Sequence, residues 1–189
     1  MDNIDAEIKS VFGEDLNQII TPDDVRGTYA TLEEAVLAGN WPTLGASRGK
    51  IIFVMIGKNQ EIYAQGHPSL AGRAMFATFD PGRPEAAFVK YDGAVTSKQD
   101  IIDAVAKGYM VRTRSDDPGK ENFTGSYAKR DAAFESGAQV ISTDYYRPDE
   151  RYLTNPLVTN YTVQLPGGVA ARVNPVSAPD KVGIGPILE

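Results

Sequence analysis

The chain of 189 residues has no cysteine and a single histidine, His67. Without thiols there is no disulfide framework, no thiolate metal site and no cysteine nucleophile. With one imidazole, a chain acting alone has neither a two-histidine acid/base pair nor a multi-histidine metal site. Long apolar runs are also missing. No stretch approaches the roughly 18 apolar residues of a membrane-spanning helix. The opening Met1-Asp2-Asn3-Ile4-Asp5 is acidic, where a signal peptide is basic and then apolar. We therefore expect neither a transmembrane span nor a signal peptide, and the compartment stays open. Cationic charge is in deficit. Nineteen Lys and Arg against 25 Asp and Glu leave a net charge of −6, which disfavours nucleic acid as a partner.

What is present is an ordinary soluble composition, 42% apolar and 23% charged, enough for one sizeable core. Five short runs rich in β-branched or aromatic residues read as strands: 50–56 (KIIFVMI), 73–79 (RAMFATF), 86–91 (AAFVKY), 109–114 (YMVRTR) and 139–144 (QVISTD). All are mostly apolar at both parities, which suits a parallel sheet covered by helices. Helix signals lie between them. Thr31 with Glu34 forms a capping box that Gly39 closes, Ser97 opens a helix that ends at Gly108, residues 127–136 form another before Gly137, and 4–12 is an amphipathic opener. The gap from Phe79 to Ala86 is too short for a crossover helix, so it is a plain loop or one of the two strands pairs differently. The repeated helix–strand order is an α/β signature. A complete eight-stranded barrel typically needs about 250 residues, so the expected fold is an open sheet or a partial (β/α)8 TIM barrel. Residues 1–147 would form the partial barrel, and 148–189 a Pro/Gly-rich C-terminal extension packed on the same domain.

In parallel α/β folds ligands sit at the carboxyl edge of the sheet. The residues ending the strands there include Lys58, Asp80, Lys90, Asp92, Arg112, Arg114, Asp116, Asp144 and Tyr145. Cationic ends on neighbouring strands suit a phosphate or carboxylate, Arg supplying a bidentate fork. Strand alternation puts Arg112 and Arg114 on one face and Ser142 and Asp144 on one face. Arg114 and Asp144 then either touch a ligand or form a structural ion pair tying adjacent strands. His67, in Gly66-His67-Pro68-Ser69-Leu70, sits in a turn before a short helix, where a structural role competes with a catalytic one. No G-x-S-x-G elbow surrounds Ser69 or Ser142, and Leu165-Pro166-Gly167-Gly168-Val169 lacks the Lys-Ser/Thr of a phosphate loop and reads as a tight turn. Trp41 is expected to pack the exit of the helix after Thr31 against the first strand.

Several segments in order carry a family resemblance: Thr21-Pro22-Asp23-Asp24-Val25-Arg26-Gly27, Gly39-Asn40-Trp41-Pro42-Thr43-Leu44, Arg48-Gly49-Lys50-Ile51-Ile52-Phe53-Val54, Gly66-His67-Pro68-Ser69-Leu70, Ala86-Ala87-Phe88-Val89-Lys90, Val111-Arg112-Thr113-Arg114-Ser115-Asp116, Arg130-Asp131-Ala132-Ala133-Phe134-Glu135-Ser136-Gly137, Ser142-Thr143-Asp144-Tyr145 and the tail Leu165-Pro166-Gly167-Gly168-Val169. Together they resemble bacterial calcium-dependent phosphoinositide phospholipase C-like proteins, relatives of the glycerophosphodiester phosphodiesterase barrels, whose members are often secreted. The resemblance implies a phosphodiesterase (hydrolase) family built on a TIM barrel. That family uses two histidines and a calcium ion, held mostly on the first three strands of the barrel. It further implies that the five strands here are the fourth to eighth, so that the catalytic half, and with it most calcium ligands, is missing. Where the family tends to carry an acidic residue at the end of the first strand found here, this chain reads Met55-Ile56-Gly57. By the same resemblance Lys90, Arg112, Arg114, Asp144 and Tyr145 line the substrate side, toward a phosphorylated small molecule or lipid head group.

Half a barrel exposes two sheet edges and an apolar inner face, so self-association as a homodimer is expected. Three functions stay open: a phosphodiesterase-family chain keeping the head-group half, a non-catalytic binding or assembly module, or a hydrolase that pairs His67 with a carboxylate, such as Asp80 or Asp116, across a dimer interface.

Overall fold

The computed structural model describes residues 2–169 and 171–181. Of the C-terminal extension expected over 148–189, residues 170 and 182–189 lie outside the described residues. The chain divides into two compact units, 1–90 with 107–109 and 91–106 with 110–189.

The first unit carries the helices α1 (Asp2–Phe12), α2 (Pro22–Arg26), α3 (Leu32–Leu37), α4 (Leu44–Ser47) and α5 (Gln60–Ala64), with strands β1 (Val54–Met55) and β2 (Phe76–Ala77). The capping box read at Thr31 is present: its hydroxyl accepts from Glu34 N at 3.1 Å, and the Glu34 carboxylate accepts from Thr31 N. A second box, Thr21 with Asp24 and Pro22 at the first turn, starts α2. Burying Val25, Leu32, Ala35, Val36, Tyr63, Leu70 and Phe76 completely makes the core. β1 pairs with β2 in parallel, Val54 opposite Phe76. Both strands are far shorter than the runs 50–56 and 73–79 suggested, because only a two-residue ladder forms and the flanking residues leave the sheet. The helix-free loop between Phe79 and Ala86 leads to a lone parallel bridge, Thr78 to Phe88. The Trp41 ring meets Phe76 and Phe88 at 5.8 and 5.7 Å, and its indole N–H donates to Gly108 O at 2.9 Å, so the polar tip of the ring is satisfied by a carbonyl.

β3 (Phe88–Tyr91) carries the chain toward the second unit, which holds α6 (Lys98–Ala106), β4 (Met110–Arg114), α7 (Glu121–Thr124), α8 (Ala128–Glu135) and β5 (Val140–Ser142). β5 runs parallel to β4 with Arg112 opposite Val140 and Arg114 opposite Ser142. α6 and α8 pack on β4. They cover one face, where Val111 and Thr113 are fully buried. The other face carries Arg112 and Arg114 with Val140 and Ser142, and Val140 is 48% exposed. The two-sided apolar pattern predicted cover on both faces; in β4 and β5 one face is open. Among the described residues the architecture is thus mixed α/β with two short parallel sheets.

Candidate functional site

The carboxyl ends of β4 and β5 are tied into one network by a single buried acid. Asp116, fully buried, accepts Ser115 Oγ (2.8 Å) and Thr143 Oγ1 (2.5 Å) on one carboxylate oxygen and Asp144 N (3.0 Å) on the other. Its backbone carbonyl accepts Arg114 Nε at 3.1 Å. Arg114 then donates through its terminal nitrogen to Asp144 Oδ2 at 2.8 Å. One residue therefore orients both halves of the ion pair, the arginine through a carbonyl and the aspartate through its amide. The Arg114 side chain is 23% exposed and the Asp144 side chain 50%. On the same face Arg112 pairs with Asp92. The cationic ends of β4 are thus each matched by an acid, and the surface they make is charge-balanced.

Tyr145 plays a supporting part. Its hydroxyl accepts Gly119 N at 2.9 Å, and its ring meets Tyr161 edge-on at 5.5 Å. Tyr161 is buried and donates to Ser115 O at 3.1 Å; burial first, then the nearby Asp116 and Glu121 charges, push its hydroxyl well above the ordinary range. The neighbour Tyr146 is the exposed ring, 68% open. Lys129 holds the Asp117 carboxyl below its usual value by a hydrogen bond.

His67 lies in the first unit. Its Nδ1 sits 2.7 Å from Ala71 O, and because a carbonyl only accepts, that nitrogen carries the proton. The bond spans a turn in which Ser69 and Leu70 both have left-handed backbone, φ 56° and 57°, which costs such residues energy. The side chain thus braces a strained turn. Lys90 is exposed on β3 in the first unit, and Asp80 is exposed in the loop after β2. Asp116, one of the carboxylates considered for His67 across a dimer interface, is wholly buried with both oxygens engaged.

The residues that the sequence singled out on β4 and β5 are therefore brought together: Arg114 touches Asp144, and Arg112 shares their face. Asp92 and Asp116, which the sequence placed at the same edge without a role toward the arginines, complete the arrangement. Their signal was positional, an acid just past the end of β3 and another just past β4. Among the described residues no three His, Asp or Glu are grouped so that they could hold a metal ion. The buried Asp116 carboxylate is spent on two hydroxyls and an amide.

None of the curated proteins compared matches the chain. Residues 1–175 match the family described as phosphoinositide phospholipase C, Ca2+-dependent. Among solved structures, a Ca2+-dependent phosphatidylinositol-specific phospholipase C enzyme from Streptomyces antibioticus is similar in fold, with a TM-score of 0.51 and 21% identity. The match covers 76% of this chain and 57% of that one, so this chain spans little more than half of the neighbour's length. Family match and fold agree: the chain belongs to the calcium-dependent phosphoinositide phospholipase C family.

Proposed function

We propose that this chain is the head-group-binding part of such a phospholipase-like barrel, its five strands forming an arc equivalent to the barrel's fourth to eighth, without the two-histidine and calcium machinery. The observation that carries the reading is the Arg114–Asp144 pair, fixed from beneath by Asp116 yet open on top. A phosphate alone would favour unpaired cations. An arginine beside an accessible carboxylate offers donors and acceptors together, which is what a ring of hydroxyl groups needs. A phosphorylated polyol is thus the ligand class, its hydroxyls donating to Asp144 and accepting from Arg114, with Arg112 close on the same face.

Titration calorimetry with myo-inositol 1-phosphate tests this. Binding is expected in the parent chain and in His67→Ala, and is expected to be lost in Arg114→Ala. Loss in His67→Ala with the fold intact would move the site to the histidine and favour the third function. Calcium-dependent hydrolysis of phosphatidylinositol at an enzyme-like rate would show that a catalytic centre is present after all.

A second reading is favoured by β5, which pairs with β4 alone among the described residues, and by its exposed Val140. On this reading the chain is an assembly module that associates with a second copy. Sedimentation velocity showing a monodisperse monomer at micromolar concentration overturns it.

A further inference from the structure

The backbone along the far edge of β5 has work left to do. Ser142 O accepts Ser115 N at 3.1 Å, so Ser142, and Val140 two residues before it, turn their peptide groups toward β4. Ile141 between them turns its N–H and C=O the other way, and among the described residues neither finds a hydrogen-bond partner. Such an edge is a template for a further strand. A cavity of about 770 Å³ lies against it, lined by Phe134, Ala138 and Ile141 and, from the C-terminal segment, by Val163, Leu165 and Val169. That volume is in the range of sites that enclose a ligand.

The C-terminal segment is tied down at both ends of this cavity. Val163 N donates to Tyr145 O at 2.9 Å, past the carboxyl end of β5, and Asn174 Nδ2 donates to Gly137 O at 2.6 Å, before its start. Between these anchors the described residues of the segment make no hydrogen bond to β5. With both ends tied, a chain cannot run through the slot, and what enters is the end of one. Charge decides which end. Arg172 is the one charged side chain among the described residues that line the cavity. It sits toward the Gly137 end, donating to Phe134 O with its guanidinium 5.3 Å from the Phe134 ring. That carbonyl takes one of five N–H donors, and a guanidinium fork fits a carboxylate, whereas a terminal ammonium would be repelled. A carboxylate held at Arg172 sets the entering strand antiparallel to β5.

We propose that the slot beside β5 captures the C-terminal end of a partner protein as an added strand, its peptide groups on the Ile141 N–H and C=O and its terminal carboxylate on Arg172. A slot along a three-residue strand takes about four residues of extended chain. Every second side chain enters the cavity, whose apolar lining selects Val or Ile there and rejects charge. None of the residues of the Arg114–Asp144 pair takes part, so the inference does not rest on the head-group reading.

The test is titration of the full chain with the peptide acetyl-Thr-Val-Thr-Val, once with a free C-terminal carboxylate and once as the C-terminal amide, followed in nitrogen–proton correlation spectra. The free acid is expected to bind saturably and to slow hydrogen exchange at the Ile141 amide by about tenfold or more. The amide peptide should bind about tenfold more weakly, and Arg172→Gln should erase that preference while binding the amide peptide as the parent chain does. Ile141→Pro keeps the ladder to β4, which does not use the Ile141 N–H, and should lose both peptides. The proposal is overturned if neither peptide binds, if the preference for the free acid survives Arg172→Gln, or if Ile141→Pro binds like the parent chain. Where Ile141→Pro does not fold, the parent chain decides: exchange at Ile141 that saturating peptide leaves unchanged overturns the proposal. Exchange already slow before any peptide is added overturns it as well, since the edge is then covered by a second copy.

Discussion

Arg73 and Arg114 are both arginines held by aspartates, and they do opposite things. Arg73 is 4% exposed and spends its donors inside the first unit, on Asp5 and Asp2 at 2.7 Å each and on Tyr63 O at 2.8 Å, with its guanidinium 4.5 Å from the Tyr63 ring. Asp5 meanwhile accepts Tyr63 Oη at 2.5 Å and Ala74 N at 3.1 Å. Burial, then the Asp5 bond, pushes the Tyr63 hydroxyl far above its ordinary value. Both Asp5 oxygens and the buried guanidinium are spent inside that network, which fastens α1 to the rest of its unit. Arg114 has a half-exposed partner whose carboxylate can trade arginine for another donor at little cost. Burial of the arginine, 4% against 23% exposed, and not the presence of the pair, separates fastening from recognition.

The sharpest way to break that contrast is to remove the acid of the buried pair. Asp5→Ala leaves a buried guanidinium, a tyrosine hydroxyl and an amide without their partner, and should cost about 3–5 kcal/mol in urea unfolding. A cost under about 1 kcal/mol would place the first network in the same class as surface pairs. The C-terminal segment of the second unit is fastened differently, by close approach. Gly137 has φ +73°, and a Cβ there would lie 2.6 Å from Val176 Cγ2 and 2.8 Å from Asn174 Oδ1. Asn174 also donates to Gly137 O at 2.6 Å. Gly137→Ala should therefore destabilise by about 1–3 kcal/mol in the same measurement, through overpacking and backbone strain.

Why one pair was legible and the other was not follows from chain distance. Arg112 and Arg114 alternate on a strand, and Asp144 follows the next strand, so period-two reasoning put them on one edge. Asp5 and Arg73 are brought together by tertiary packing alone, and nothing in their local sequence marks either. The same division holds for the elements. The box at Thr31 was read directly, whereas Thr21-Pro22-x-Asp24 carries an equally plain signal that was noticed only as part of a resemblance. All five strands were located but overextended, because β-branched composition marks where a strand can lie and not how many residues find a ladder partner. The open face of β4 and β5 was hidden for a related reason: Val140 is apolar, and composition cannot say that no helix covers it.

The opposite arm of the comparison is Arg114→Ala. The pair is exposed enough that its loss should cost less than about 1 kcal/mol of stability. Affinity for myo-inositol 1-phosphate should nonetheless fall by about tenfold or more, since a charge-assisted donor to the ligand disappears. Stability loss matching that of Asp5→Ala, with affinity retained, would turn Arg114 into another fastener.

The smallest effect is a proton. Hydrogen bonds from the Arg151 guanidinium, then from its backbone amide, hold the Asp149 carboxyl at about 2, below its ordinary 3.8. A depressed acid stabilises the fold above its unfolded value and loses that contribution as pH falls through the folded one. The Asp149–Arg151 link should therefore be intact at pH 5 and fade only between 3.8 and about 2. The Arg151 amide, which donates to Asp149 Oδ1 at 3.1 Å, reports this in a nitrogen–proton correlation spectrum, where its resonance should move with a midpoint near 2. Asp149→Asn should abolish that movement. A midpoint near 3.8 would mean that the acid is free in solution, and that the loop carrying Tyr152, Leu153 and Leu157 is not held by its cap.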